Sequence, residues 1–246
     1  MPRNLMHAGF LDLPYEIRRQ IYCHCIPRRK QVDVGLPCFP LEDYCFMESN
    51  FFNRDYSRVN VLRLSKQITE ECLDILYGEN TFRLCLNGGG EWDMRQNFTE
   101  KNRRRMRYLI VTANPAGVSY EISTPDDSLW ASILPSLKAL VIIPEQPIRA
   151  QGYYDAPTLR QDIDKWLAWI SPYLETIGHH IPEALNVIVD DDGRKDTREL
   201  VQAFLPATCR LKRSVLGDFI FQRGRFSIES GYWDDLYDGP TSSRDV

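Results

Sequence analysis

No run of consecutive apolar residues exceeds about five, as in Ala139 to Ile143, so nothing approaches the roughly 18 residues of a membrane-spanning helix. The opening stretch MPRNLMHAGFLDLPYE has no unbroken apolar core of the kind a secretory signal carries; Asp12 and Glu16 interrupt it. The expectation is an intracellular protein, cytoplasmic or nuclear, without membrane contact. An excess of one charge is lacking too: 30 Lys and Arg face 34 Asp and Glu, a net charge of -4. That balance argues against a polybasic nucleic-acid binder or a protein of anionic membrane surfaces. Histidine is scarce, with four copies (His7, His24, His179, His180), and no G-x-S-x-G is present, so no nucleophile stands beside an evident base. Neither G-x-x-x-x-G-K-[ST] nor G-x-G-x-x-G occurs, which removes the common phosphate-cradling loops. No resident cofactor is expected.

What is present is ordinary globular material, 43% apolar and 26% charged, enough for one large domain or two small ones. The charge is unevenly placed. Residues 229–246 hold five acids and one base; subtracting these from 34 and 30 leaves 29 of each sign in residues 1–228. The acidic tail also carries Tyr232, Trp233, Leu236 and Tyr237, too apolar for a purely solvated segment. They are expected to dock on the body as a cap, or on a partner.

Seven cysteines, an odd number, do not read as a disulfide framework. Cys72 and Cys85 sit in apolar patterns. Cys23-His24-Cys25, with His7, Cys38 and Cys45, forms the one cluster of zinc-type ligands. It lacks C-x2-C spacing, and Cys23 and Cys25 point to different helix faces. Reduced thiols near a helix end are the favoured reading, with no metal.

Periodicity organises the rest. Leu13, Ile17, Ile21 and Cys25 recur every four residues, which predicts a helix that Pro27 ends, with Arg18 and Arg19 solvated off the stripe. Residues 28–60 show no clear period and read as a long, aromatic-rich connection. Val61 to Tyr77 predicts a second helix with Leu64, Ile68, Cys72, Ile75 and Leu76 as its stripe and Gly78 as a left-handed cap. Thr81 to Leu86 alternates as a strand, ended by the Asn87–Gly90 turn. Further strands are predicted at 108–112, 137–143, 184–189 and 215–221. Helices are predicted at 98–106, 126–134, 159–177 (kinked or split at Pro172) and 197–205. Short apolar strands alternating with helices give an α/β, or α+β, fold with a mostly parallel sheet and right-handed crossovers. Uneven strand spacing suits a small open sheet or an irregular leucine-rich-repeat-like arc. The chain divides into residues 1–80, a helical block with the 27–60 insertion; 81–228, the α/β body; and 229–246, the tail.

Candidate chemistry is thin. Asp190, Asp191 and Asp192 follow an apolar strand, where α/β enzymes hold magnesium, but an Asp-rich turn before a helix explains them as well. Five bases lie in the seven residues 101–107. Arg103, Arg104 and Arg105 are its candidate basic patch, with a solvated helix face as the plainer reading.

The segment FLDLPYEIRRQIYCHCI resembles the opening of an F-box. Together with VLRLSKQITEECLDILYGENTFRL it is similar to a large fungal family of F-box-like proteins, which pairs an LPxEIRxxIY helix with an LLRxCRQIxxE…LYxxNTF block. The matching positions are Leu13, Pro14, Glu16, Ile17, Arg18, Ile21 and Tyr22, then Leu62, Leu64, Lys66, Gln67, Ile68, Glu71, Leu76, Tyr77, Asn80, Thr81 and Phe82. The likeness extends over about the first 113 residues. It implies a non-enzymatic protein whose Leu13, Pro14, Ile17 and Ile21 face a Skp-type adaptor of a cullin ubiquitin ligase, with a substrate held elsewhere. The chain departs from a true F-box in the 34 residues 27–60 and in lacking the Trp-Arg element of many F-boxes. Two other readings remain: a binding module using 28–60 and the tail, and a small α/β enzyme using Asp190–Asp192.

Overall fold

The six described strands run parallel, and their order in the sheet is their order in the chain: Gln31–Val34 (β1), Thr81–Cys85 (β2), Tyr108–Ala113 (β3), Ala139–Pro144 (β4), Asn186–Val189 (β5) and Arg210–Leu211 (β6). The computed structural model describes residues 9–35, 60–87, 89–113, 124–147, 156–221 and 223. Tyr15–Cys25 (α1) precedes β1, and Lys66–Gly78 (α2) joins β1 to β2. Gly90–Asn97 (α3) and Glu100–Arg103 (α4) join β2 to β3; Asp127–Ile133 (α5) leads to β4, Ala156–His180 (α6) to β5 and Lys195–Phe204 (α7) to β6. Val215–Ile220 (α8) follows. The fold is α/β. No described helix is long and apolar enough to cross a membrane.

Steady addition of strands in one direction, with right-handed crossovers, puts the crossover helices on one face. Side chains alternate between faces along each strand. Val32, Val34, Phe82, Leu84, Leu109, Val111, Leu140, Ile142, Val187 and Val189 therefore share one side, buried against Met94, Trp130, Ile133, Trp166 and Leu174. On the opposite side Tyr108, Ile110, Val141 and Ile188 are half-buried. There the register partners Asp33 and Arg83 form a two-pronged pair, Arg83 Nε and Nη2 donating at 2.6 and 2.7 Å. Among the described elements α8 covers the carboxyl end of this face, with Leu216, Ile220 and the following Phe221 packed on Ile143.

The structure corrects several sequence expectations. β1 lies inside the stretch read as connection; QVDV is too short to show a period, and pairing with β2 makes it a strand. Residues 215–220 are helical, and the last strand is the exposed pair Arg210–Leu211. In VLGDFI, Leu216 and Ile220 are one helical turn apart, and both are buried. α3 was missed because NGGG reads as punctuation. Gly89 takes φ +85° and caps the helix, and a Cβ on Gly90 would lie 1.9 Å from the Cys85 carbonyl oxygen, so only glycine allows this close approach. Gly78 is not a left-handed cap; it is the last residue of α2, and Glu79 follows in a right-handed conformation. Leu64 precedes the Ser65 N-cap and is 69% exposed, off the stripe. α6 continues through Pro172 as one helix. His7, Cys38, Cys45, most of the 28–60 connection and the tail with Tyr232, Trp233, Leu236 and Tyr237 lie outside the described residues.

Asn80 clips the first two helix-to-strand corners together. Fully buried, it donates from Nδ2 to the Pro27 and Leu76 carbonyls at 2.9 and 2.7 Å and accepts from the Lys30 amide at 2.9 Å. Asn80→Ala strands three backbone groups at once, so urea unfolding should show a loss of about 2–4 kcal/mol. A change under about 0.5 kcal/mol would mean the clip is not structural.

Candidate functional site

α1 is oriented by one carboxylate. Arg18, 8% exposed, donates from Nε and Nη2 to Glu71 of α2 at 3.0 and 2.6 Å, and from Nη1 to the Leu13 carbonyl at 2.5 Å. The Tyr22 hydroxyl donates to Glu71 Oε2 at 2.8 Å, and Gln67 Nε2 to Oε1 at 3.0 Å. Hydrogen bonds from Arg18 above all hold the Glu71 carboxyl down at about 2, while burial first, and Glu71 second, push the Tyr22 phenol up to about 12. A buried guanidinium is tolerable when its donors are taken up in this way.

This corrects the expected orientation of α1. Arg18 is not solvated: Arg18, Tyr22 and Ile26, one turn apart, face inward, and Tyr22 and Ile26 join Ile68, Cys72 and Ile75 in a small core of their own. The stripe one position behind is turned outward. Ile17 and Ile21 are 42% and 40% exposed, as are Tyr15 (42%) and Leu11 (41%). Pro14 is exposed and Leu13 half-buried. Residues four apart on a helix are surface neighbours, so Ile17 and Ile21 adjoin as one apolar face.

The basic run is used internally. Arg103 is buried, and its Nη1 donates to the Phe98 carbonyl at 2.6 Å. Arg105 donates to Asp74 at 2.7 Å and also pairs with Glu70, which Lys101 meets at 2.6 Å. Arg104 pairs with Glu100 one turn earlier. Lys101 and Arg105 thus strap α4 to α2 and Arg103 is taken inward, while Lys101 and Arg104 remain exposed, as a solvated helix face has them. Cys23 and Cys25 are half-buried free thiols. Among the described residues no group of three His, Cys, Asp or Glu side chains is placed to hold a metal ion.

The acid turn after β5 is inward too. Asp190 accepts from Arg223 Nη2 at 2.6 Å, Arg223 Nη1 at 3.0 Å and the Ser214 amide at 2.6 Å. Asp191 accepts from Arg198 Nε at 2.9 Å and the Gly193 amide at 2.9 Å, and Asp192 from Arg223 Nε at 2.7 Å. Gly217 lets α8 close over them, since a Cβ there would lie 2.1 Å from Asp190 Oδ2. The oxygens that a cation would need are bound by arginines at the rim of a 320 Å3 cleft shared with Lys212 and Arg213.

Sequence reasoning missed Glu145 and Gln146, just past β4 at the same sheet edge. Glu145 Oε2 and Gln146 Oε1 are buried without a partner. Burial, with nearby Asp192 and Cys85 adding to it, pushes the Glu145 carboxyl well above its usual range. The only signal was a Glu-Gln pair between an apolar strand and Pro147.

Set against protein-family models, curated proteins and solved structures, the chain matches none.

Two titrations follow, of opposite sign. Glu71 falls from 4.5 to about 2 on folding, so its stabilisation is complete above pH 4.5 and lost as pH drops toward 2. Urea titrations across that window should show a shallower acid limb in Glu71→Gln; an unchanged slope would remove Glu71 as its cause. Glu145 is raised on folding, so it favours the fold below pH 4.5 and opposes it as pH rises. Thermal melts should therefore find Glu145→Gln more stable than wild type at pH 8 and close to it at pH 4. The reverse order would contradict a buried neutral acid.

Proposed function

We propose that this chain is a non-enzymatic protein-interaction protein of the F-box-like kind, with α1 docking a Skp-type adaptor of a cullin ubiquitin ligase and the α/β body presenting a substrate. The observation that carries the reading is the outward apolar pair Ile17 and Ile21 on a helix fixed from behind by Arg18 and Glu71. Two adjoining isoleucines held rigidly at the surface, with Leu11 and Tyr15 also exposed, form the kind of patch that marks a protein contact. Their place directly after Leu13-Pro14, in the motif that resembles an F-box opening, indicates which contact. A rigid helix face also loses little entropy on docking. The alternative of an acid-site enzyme has less support, because Asp190, Asp191 and Asp192 are each bound by an arginine.

The test is titration calorimetry with a purified Skp-type adaptor. Wild type should bind at micromolar concentration. Ile17→Asp and Ile21→Asp should each weaken binding at least about tenfold, the loss expected for a charge in an apolar contact, with thermal stability kept because both side chains point outward. No complex with wild type, or equal binding by Ile17→Asp, would sink the adaptor reading.

A further inference from the structure

A groove of about 680 Å3 opens at the amino ends of β1, β2 and β3, on the side opposite the acid turn. It lies where two helix-to-strand corners meet, the one after α1 (Arg28, Arg29, Lys30) and the one after α2 (Glu79). Arg19 of α1 and Lys138, just before β4, complete its charged lining, and Tyr108 and Ile110 of β3 form a half-buried apolar floor. The lining thus counts five cations and one carboxylate, in a body (residues 1–228) whose 29 charges of each sign balance only overall.

The excess survives the local compensations. Glu79 is shared by Arg19 and Arg28, the latter at 2.5 Å, so one negative charge serves two guanidinium groups. The C-termini of α1 and α2 close on the same corners and contribute about half a negative charge each. Counting only Arg19, Arg28, Arg29 and Lys138 against Glu79 and these two helix ends, about two positive charges remain. Arg29 and Lys138 are exposed and meet no carboxylate within ion-pair distance among the described residues. The rim is also held in shape. Arg29 sits at φ +56°, rare for a residue with a Cβ, and its amide donates to the Glu79 carbonyl at 3.2 Å while the Lys30 amide is held by Asn80. Such strain is retained only where the surroundings over-determine it.

We propose that this groove is a binding site for a compact, multiply charged anion of the phosphate class, a phosphate ester or polyphosphate whose uncharged part rests on Tyr108 and Ile110. The cations converge on one hollow from three chain segments, which suits a compact ligand; an extended nucleic acid would need a stripe. Guanidinium forks match phosphate oxygens two at a time, and the volume is that of small-ligand sites. The site is independent of the adaptor reading, which concerns the outward face of α1.

Inorganic pyrophosphate is the probe, titrated calorimetrically into the full chain at low and high salt. Wild type should bind at sub-millimolar concentration and more weakly in salt. Arg29→Gly, which suits the positive φ, and Lys138→Ala should each weaken binding about tenfold, the size of one charge-assisted contact. Lys101→Ala, a cation held on Glu70 outside the groove, should leave it unchanged. Glu79→Gln should strengthen it by releasing Arg19 and Arg28. Melting curves matched to wild type confirm that each variant is folded. A full-chain variant carrying Asp234→Asn, Asp235→Asn and Asp238→Asn separates the sources of anion. If pyrophosphate binds only this form, and Arg29→Gly abolishes that binding, the acidic tail fills the same site in cis and the site stands. No binding by either form, or equal binding by the Arg29→Gly, Lys138→Ala double variant, overturns the proposal.

Discussion

A parallel sheet whose strands follow one another in order has only one face for its crossover helices, and that constraint shapes everything else in this protein. The right-handed crossover fixes the side on which each helix packs. The apolar residues of β1 to β5 are concentrated there, with Trp130, Trp166 and Leu174 above them. The other face must be satisfied by different means. Asp33 and Arg83 pair across β1 and β2, and among the described elements α8 covers the end around Ile143. Among the described residues the result is a face covered only at one end and bounded by two edges of opposite chemistry: helix-to-strand corners rich in bases at one edge, and strand ends rich in acids at the other.

α1 lies outside that scheme, since it precedes the first strand and has no sheet face assigned to it. It is held by Glu71 instead. One carboxylate accepting from Arg18, Tyr22 and Gln67 determines which side of α1 faces α2, and so which side faces solvent. Apolar burial alone would have turned Ile17 and Ile21 inward. The paired guanidinium occupies the inward position because its donors are met, and the aliphatic stripe is left outside. A polar network thus sets specificity of orientation where hydrophobicity would favour the opposite rotation.

The same competition explains what could be read in the sequence. β2 to β5, with α4, α5 and α6 between them, were legible because continuous apolar runs such as Leu109–Val111 and Leu140–Ile143 admit few alternatives, and a parallel sheet covered by helices follows from their alternation. The four-residue spacing of Leu13, Ile17 and Ile21 correctly indicated a helix but left its covered side open, because period reports a face and not what covers it; Arg18, read as solvated, is the residue that turns inward. Arg18–Glu71 spans 53 positions in the chain, and no local pattern signals a partner so distant. β1, α3 and α8 were missed for a related reason. QVDV is a strand because β2 lies beside it, and the helices that contain Gly90 and Gly217 pack so close to Cys85 and Asp190 that neither position has room for a Cβ. The basic run at 101–107 was conspicuous in sequence yet is bound to Glu70, Asp74 and Glu100.

Electrostatics show most clearly why a count of charges is a poor guide to a surface. Residues 1–228 hold 29 charges of each sign, which suggests a protein with nothing to attract an anion. Folding separates them. The acids of the β5 turn are drawn inward and neutralised by Arg198 and Arg223, so those bases are withdrawn from the surface together with their partners. At the groove beside the α1–β1 corner, Arg19 and Arg28 share the one carboxylate of Glu79, and Arg29 and Lys138 meet no acid within ion-pair distance among the described residues. At surface dielectric, a pair of charges 4 Å apart interacts with about 4 kcal/mol, while charges beyond about 8–10 Å are screened by salt. A neutral total spread over a molecule of this size therefore says nothing of a groove whose lining holds five bases and one acid.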